Sequence, residues 1–278
     1  NEAGAVSLEV GEHRLYPIAV AEKGYAVYRI RVRGAWGHGS MPRPDNAIVR
    51  SAAVIERLAA PGARRLTPVM ATFFETAAEA LGGDTATILR ALAGEDASRA
   101  EATLERLCAP SYARAARALV RDTISPNVIH AGVKYNVIPG EALIELDCRL
   151  LPGTTEPQMR TEIERRLGAD LLGVCDIELV TAAVPVVTSA DSDLFRVLAR
   201  AVVDHDPGGI PLPVMATFAT DAKTLMRLDV PSFGFSPMRV GNDPTYLERY
   251  HGVDERVSIE GLRWGLPVLY DAVRRFCA

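Results

Sequence analysis

No stretch of the 278 residues stays apolar for the roughly 18 to 20 positions that a membrane-spanning helix needs, so no such span is expected. Cysteine is sparse and scattered. Cys108, Cys148, Cys175 and Cys277 contain no Cys-x-x-Cys pair, which argues against a zinc ribbon and a disulfide framework and leaves buried, reduced thiols as the expectation. Excess positive charge is also lacking: a net charge of −4 gives no electrostatic reason for a nucleic-acid or anionic-membrane partner. No methionine and no signal-like segment precede Asn1-Glu2-Ala3-Gly4. The expectation is a processed protein or a portion of a longer chain, with the cytoplasm as the default compartment. What is present is ordinary for a folded protein. The chain is 48% hydrophobic and 24% charged, and its length suits two compact domains.

Periodicity then divides the chain. Leu15 to Val20 reads as a short apolar strand, and Glu22-Lys23-Gly24 as the turn after it. Tyr28, Ile30 and Val32 alternate with Arg29, Arg31 and Arg33, which predicts a half-buried strand. Its basic face suits a phosphate partner, a solvated surface or a charge-protected edge. Asn46 to Leu58 carries Ile48, Ala52, Ile55 and Leu58 at helical spacing. Residues 68–121 are Ala-rich and broken at Gly82-Gly83, Gly94 and Pro110, which predicts two to four short helices. Strands follow at Val128–Val133 and, after Asn136-Val137-Ile138-Pro139-Gly140, at Ala142–Cys148. A helix capped near Thr155 buries Met159, Ile163 and Leu167, and a last strand runs over Cys175–Thr181. Without the helical insertion the order is β-α-β-β-α-β, the ferredoxin-like arrangement. From Ser192 the pattern becomes α/β: a helix to Val203, short strands at Val214–Ala216 and Ser232–Phe235, and a long helix from Ser258 through Leu262, Leu266, Leu269, Val273 and Phe276. The expected organisation is a partial α/β domain (1–24 and 185–278) interrupted by an α+β ferredoxin-like domain (25–184) that carries the insertion at 68–121.

Four places carry candidate chemistry. His38 lies in Gly37-His38-Gly39-Ser40-Met41-Pro42, a turn that holds an imidazole outward, suited to donating a hydrogen bond or a proton. It also reads as a turn histidine without a role. Asn136 and Arg149 flank one hairpin; the Arg149 guanidinium is either a fork for a substrate carboxylate or half of a surface ion pair with Asp147 or Glu145. Thr220-Asp221-Ala222-Lys223 follows an apolar strand, where α/β folds place their sites, and equally suits a helix N-cap. His251, with Asp254 and Glu255 close by, is either a metal ligand with a carboxylate behind it or a plain loop histidine.

Together and in this order the segments resemble the M20 family of metallopeptidases and aminoacylases, which includes glutamate carboxypeptidase, succinyl-diaminopimelate desuccinylase, aminoacylase and the Gly-X carboxypeptidases. Asn1-Glu2-Ala3-Gly4 is similar to the family's Asn-Glu-Gly-Gly, and Gly34 through Pro42 followed by Asn46-Ala47 to the opening of its dimerisation domain. Asn136 through Pro139 and Asp147-Cys148-Arg149 resemble its second hairpin, Thr220-Asp221-Ala222 its Gly-Gly-Thr-Asp-Ala stretch, and His251 through Glu255 its last histidine loop. The wording of Phe235-Ser236-Pro237-Met238 and of His251 to Arg256 is nearest to the Gly-X carboxypeptidase and aminoacylase branch.

The resemblance implies a hydrolase of amide or peptide bonds in N-acyl amino acids or small peptides with a free carboxylate. It also implies two zinc ions that activate a water, and a homodimer formed through the lid domain. It makes Glu2 and His251 metal ligands and His38 an oxyanion donor that reaches the partner subunit's site. Asn136, Arg149, Thr220 and Asp221 become substrate-binding residues. The family's His-x-Asp and Glu-Glu elements occur nowhere in this sequence, and Phe218-Ala219 stands where the glycine pair is usual. Since catalytic zinc takes about three protein ligands, the chain as given is expected not to catalyse. The competing reading is a non-catalytic dimerisation or ligand-binding module derived from such an enzyme.

Overall fold

The computed structural model describes residues 4–94, 97–107, 110–241, 243 and 245–278. They form two compact units, one of Lys23–Arg64 with Arg121–Pro185 and one of Asn1–Glu22, Arg65–Val120 and Val186–Ala278. In chain order the elements are β1 (Leu8–Val10), β2 (His13–Glu22), β3 (Gly24–Arg33), β4 (Gly37–His38), α1 (Ala47–Ala59), α2 (Pro68–Leu81), α3 (Gly83–Ala93), α4 (Ala97–Leu107) and α5 (Pro110–Ala118). There follow β5 (Thr123–Ala131), β6 (Val137–Ile138), β7 (Glu141–Leu150), α6 (Glu156–Leu172), β8 (Cys175–Ala183), β9 (Val186–Val187), α7 (Asp193–His205), β10 (Gly209–Ala216), α8 (Ala222–Leu225) and α9 (Ile259–Cys277).

The unit around β3 is a four-stranded antiparallel sheet in the order β5-β7-β3-β8, the ferredoxin-like topology. Alternation explains its core. Tyr28, Ile30 and Val32 of β3 and Ala142, Ile144, Leu146 and Cys148 of β7 face inward, against Val54 and Leu58 of α1 and Met159, Ile163 and Leu167 of α6. Each large side chain buried this way contributes roughly 1.5–3 kcal/mol. The opposite face is a lattice of cross-strand ion pairs: Arg29 with Glu145 at 2.9 Å, Arg31 with Glu141 at 2.7 Å and Arg33 with Asp176 at 3.6 Å. Because β3 lies between β7 and β8, these arginines protect no edge.

Two details differ from the sequence expectation. β5 starts at Thr123 rather than Val128, with an irregularity between Pro126 and Val128. A proline is tolerated there because β5 is an edge strand with one open side. In α1 the buried stripe is Ala47, Ser51, Val54 and Leu58, while Ile48 is 46% exposed. Ser51 Oγ donates to the Ala47 carbonyl at 2.7 Å, so its hydroxyl is satisfied inside the helix and burial carries little penalty.

In the other unit β2 pairs parallel with β10 and antiparallel with β1 and β9. Side chains of β2 alternate between two helical layers. Tyr16 and Ile18 meet Leu198, Ala201 and Val202 of α7 and Val268 and Ala272 of α9, whereas Leu15 meets Leu212 and Ala77 of α2. The segment expected within the lid, residues 68–121, breaks into helices where its glycines and Pro110 stand. Arg65–Val120 nevertheless belongs by packing to this α/β unit, since Phe73 and Ala77 cover the Leu15 and Leu212 face. Ser232–Phe235 forms no strand; Gly234 makes a single bridge to Ala19. The long helix is capped as expected, with Ser258 Oγ accepting from the Gly261 N–H at 3.0 Å. Its packed face is Gly261, Gly265, Val268 and Ala272, and Leu262, Leu266, Val273 and Phe276 are exposed. A Cβ on Gly265 would lie 1.8 Å from the Pro237 carbonyl oxygen, so the small residues are what let the helix approach. Cys148 and Cys175 are buried free thiols, whereas Cys277 is exposed, against expectation. Cys108 lies outside the described residues. Among the described residues, no helix is long and apolar enough to cross a membrane.

Candidate functional site

A two-stranded ribbon builds the first candidate site. β4 pairs with β6, Gly37 opposite Ile138 and His38 opposite Val137, and the Gly39 N–H donates to the Asn136 carbonyl at 2.8 Å. The ribbon therefore brings His38 and Asn136 together. The approach where it closes is tight: a Cβ on Gly39 would stand 3.2 Å from the Asn136 backbone, which would have to give by a few tenths of an ångström. The His38 ring is exposed, and its Nδ1 lies 2.8 Å from Ser40 Oγ and 3.2 Å from the Ser40 backbone nitrogen. Asn136 Oδ1 is buried without a hydrogen-bond partner among the described residues. An unmet buried acceptor costs about 1–3 kcal/mol, and a ligand N–H would satisfy it.

Arg149 is not part of that pair. It sits eight residues along β7 from Glu141, on the order of 26 Å from the ribbon end at strand rise. There it opposes Tyr25, with its guanidinium 6.0 Å from the ring centroid, and pairs with Asp147 at 2.8 Å. Of the two readings left open by the sequence, the ion pair with Asp147 is what the structure contains. Close to this end is Lys23, which the sequence reading had assigned to a turn. It is fully buried, its Nζ donates to the Arg121 carbonyl at 2.6 Å, and burial pushes its pKa down to about 8 against the opposing pull of Asp122.

Thr220 and Asp221 lie in the other unit. The Glu22 carboxylate at the end of β2 accepts the Thr220 N–H at 2.9 Å and the Thr220 hydroxyl, and Lys223 Nζ lies 3.5 Å away. Thr220 Oγ1 also accepts the Ala222 N–H at 3.1 Å, so Thr220 takes the capping role beside α8 while Asp221 is exposed and makes no side-chain cap bond. Glu22 and Lys223 are both buried. Sequence reasoning missed Glu22. The available signal was a carboxylate ending an otherwise apolar strand, which requires a partner if it is buried.

His251 is exposed on left-handed backbone with φ 56°, and Asp254 is likewise exposed with φ 60°. Glu2 lies outside the described residues. Among the described residues no group of three or more His, Cys, Asp or Glu side chains is arranged to hold a metal ion. These residues do not by themselves fit a zinc centre, and no chemical step is routed through one.

The chain thus has a ferredoxin-like unit that carries a glycine-flanked histidine ribbon, and a second, α/β unit. The chain belongs to the M20 family: the model for its peptidase dimerisation domain matches residues 20–175. Among curated proteins the chain is 27% identical over 267 residues to the human N-fatty-acyl-amino acid synthase/hydrolase PM20D1, covering 92% of this chain and 50% of the relative. It is 26% identical over 258 residues to the probable carboxypeptidase S-like 2 of Dictyostelium discoideum, covering 92% and 48%. The chain thus spans about half the length of these relatives. Human carnosine dipeptidase 1 shares the fold with a TM-score of 0.61 at 14% identity, over 93% of this chain and 56% of that one. The M20 family metallo-carboxypeptidase Sso-CP2 of Sulfolobus solfataricus gives 0.60 at 16% identity, over 93% and 59%.

Proposed function

We propose that the protein is a homodimeric hydrolase of amide or peptide bonds in N-acyl amino acids or small peptides bearing a free carboxylate. The observation that carries this reading is the ribbon, which sets an exposed imidazole beside an asparagine whose buried Oδ1 has no hydrogen-bond partner among the described residues. In the proposed reaction His38 Nε2–H donates to the carbonyl oxygen of a substrate held in the partner subunit's site as negative charge develops on it. Asn136 takes a substrate N–H on Oδ1. Arg149 is the proposed partner of the carboxylate; paired with Asp147 at 2.8 Å, it would exchange an internal anion for the substrate's. Its distance from the ribbon along β7 implies that Arg149 and the His38–Asn136 pair meet different parts of the substrate or different substrate molecules. Two zinc ions belong to the proposal through the family, with Glu2 and His251 as the ligands this chain would give. The names of the relatives, a fatty-acyl-amino acid synthase/hydrolase and a carboxypeptidase, support the substrate class.

The test is hydrolysis of a panel of N-acyl amino acids, each beside its C-terminal carboxamide, by a protein in which this chain is accompanied by the family's His-x-Asp and Glu-Glu elements, since the chain alone is not expected to catalyse. Cleavage of the free acids with little cleavage of the carboxamides is expected. Equal rates on both members of every pair would remove the carboxylate from the reading, and no cleavage of any of them would remove the activity.

A further inference from the structure

We propose that Ser40 is a positioning residue that fixes the tautomer of His38, so that the neutral ring presents Nε2–H outward. The turn geometry is unusually decisive about where the proton sits. Met41 N–H donates to the His38 carbonyl at 2.9 Å, closing a turn over residues 38–41 and placing the Ser40 N–H back toward the histidine side chain. This is the arrangement in which an asparagine or aspartate side chain accepts from the N–H two residues on, with Nδ1 acting as the acceptor. The Ser40 N–H lies 3.2 Å from Nδ1 and the Ser40 hydroxyl 2.8 Å from it. A hydroxyl can donate or accept, so by itself it would leave the tautomer open. A backbone N–H only donates. Nδ1 must therefore carry the lone pair, and in the neutral ring the proton is on Nε2. The alternative tautomer would set two N–H groups against each other and forfeit the backbone bond, keeping only the hydroxyl as acceptor.

The consequence is chemical selectivity. Nε2 makes no hydrogen bond among the described residues, so its N–H is left for whatever approaches the ribbon. A ring held this way donates to a developing oxyanion without any proton being transferred. It cannot serve as a base through Nδ1, whose lone pair is already used. The lock also removes rotational freedom from an exposed side chain, since the ring must stay over Ser40 to keep its bonds. The catalytic relevance of the lock rests on the reading of His38 as a hydrogen-bond donor, but the lock itself does not.

The experiment is a two-bond nitrogen–proton correlation spectrum of the protein labelled with ¹⁵N-histidine, recorded about two pH units above the ordinary histidine titration. Loss of one resonance set in His38→Gln assigns His38. The expected wild-type spectrum shows Nδ1 unprotonated and Nε2 protonated. Ser40→Ala keeps the backbone N–H and should leave Nδ1 unprotonated, whereas Ser40→Pro, which removes that N–H, should move the two nitrogen shifts toward each other as the second tautomer is populated. A protonated Nδ1 in the wild type or in Ser40→Ala, or a Ser40→Pro spectrum unchanged from wild type, would overturn the proposal. Turnover separates this from the functional reading: Ser40→Pro should lower kcat on the order of 2- to 10-fold with KM unchanged. Spectra that behave as stated with an unaltered kcat would leave the lock standing and overturn the donor role of His38.

Discussion

The Gly39 N–H donates to the Asn136 carbonyl at 2.8 Å, and this bond fixes the spacing between the histidine turn and the asparagine that faces it. The contact is tight for a larger residue, because a Cβ at position 39 would stand 3.2–3.3 Å from the Asn136 backbone. Gly39→Ala is expected to loosen the ribbon while leaving the sheet intact. Hydrogen exchange should show lost protection at the residue 39 amide with protection in β3 and β7 retained, and global stability should fall by only about 1–2 kcal/mol. Wild-type protection at position 39 in the variant would show that the ribbon does not depend on the close approach.

Glu22 should matter more than its position at a strand end suggests. Replacing it with Gln leaves the buried Lys223 facing a neutral group, and breaking one half of a buried pair costs about 3–5 kcal/mol. Adding Lys223→Met to Glu22→Gln is expected to recover part of that loss, a coupling that denaturant titrations of the two single variants and the double variant would measure. Strict additivity would mean that the 3.5 Å pair contributes nothing.

Lys23 gives a pH signature. Burial lowers its pKa to about 8 from 10.5, so between those values the unfolded chain binds the extra proton. Stability should therefore be fully present above pH 10.5 and decline as pH falls through 8, by about 1–3 kcal/mol from this group. Lys23→Met should flatten that part of the stability curve relative to wild type. Parallel curves for the two proteins would show that Lys23 stays charged through its bond to the Arg121 carbonyl.

Gly265→Ala reverses a familiar sign. In an open helix the change stabilises by up to about 1 kcal/mol, yet here the new methyl would meet the Pro237 oxygen at 1.8 Å. A loss of about 2–3 kcal/mol is expected from thermal unfolding. An unchanged or raised Tm would show that α9 does not pack as closely as described.

Much of this was legible locally. The alternation Tyr28-Ile30-Val32 and Ala142 to Cys148 specified strands and their inner faces, and Thr155, Ser192 and Ser258 marked helix starts because capping chemistry is short-range. What the sequence hid depended on partners far along the chain. Ile48 and Ala47 fit equally good stripes in α1, and a hydrogen bond from Ser51 with the close approach of Gly34 decides between them. Residues 68–121 gave their helical breaks but not the sheet they cover, since Ala77 meets Leu15 and Leu212 from two distant segments. Glu22 read as a turn because nothing nearby in sequence announces Thr220. For the candidate site, the glycines around His38 indicated an exposed ring, but its pairing with Asn136 is a tertiary fact, as is the separation of Arg149 from both.

The most direct test of the central proposal, that His38 acts in the site of a neighbouring subunit, is complementation between two inactive variants. Subunits carrying His38→Ala are mixed with subunits carrying His251→Ala, and heterodimer formation is verified by mass. Each mixed dimer then holds one site with both His251 and the partner's His38 intact. Activity should return toward about a quarter of wild type, the share of intact sites in a random mixture of symmetric dimers. A mixture that forms heterodimers and stays inactive would contradict the account.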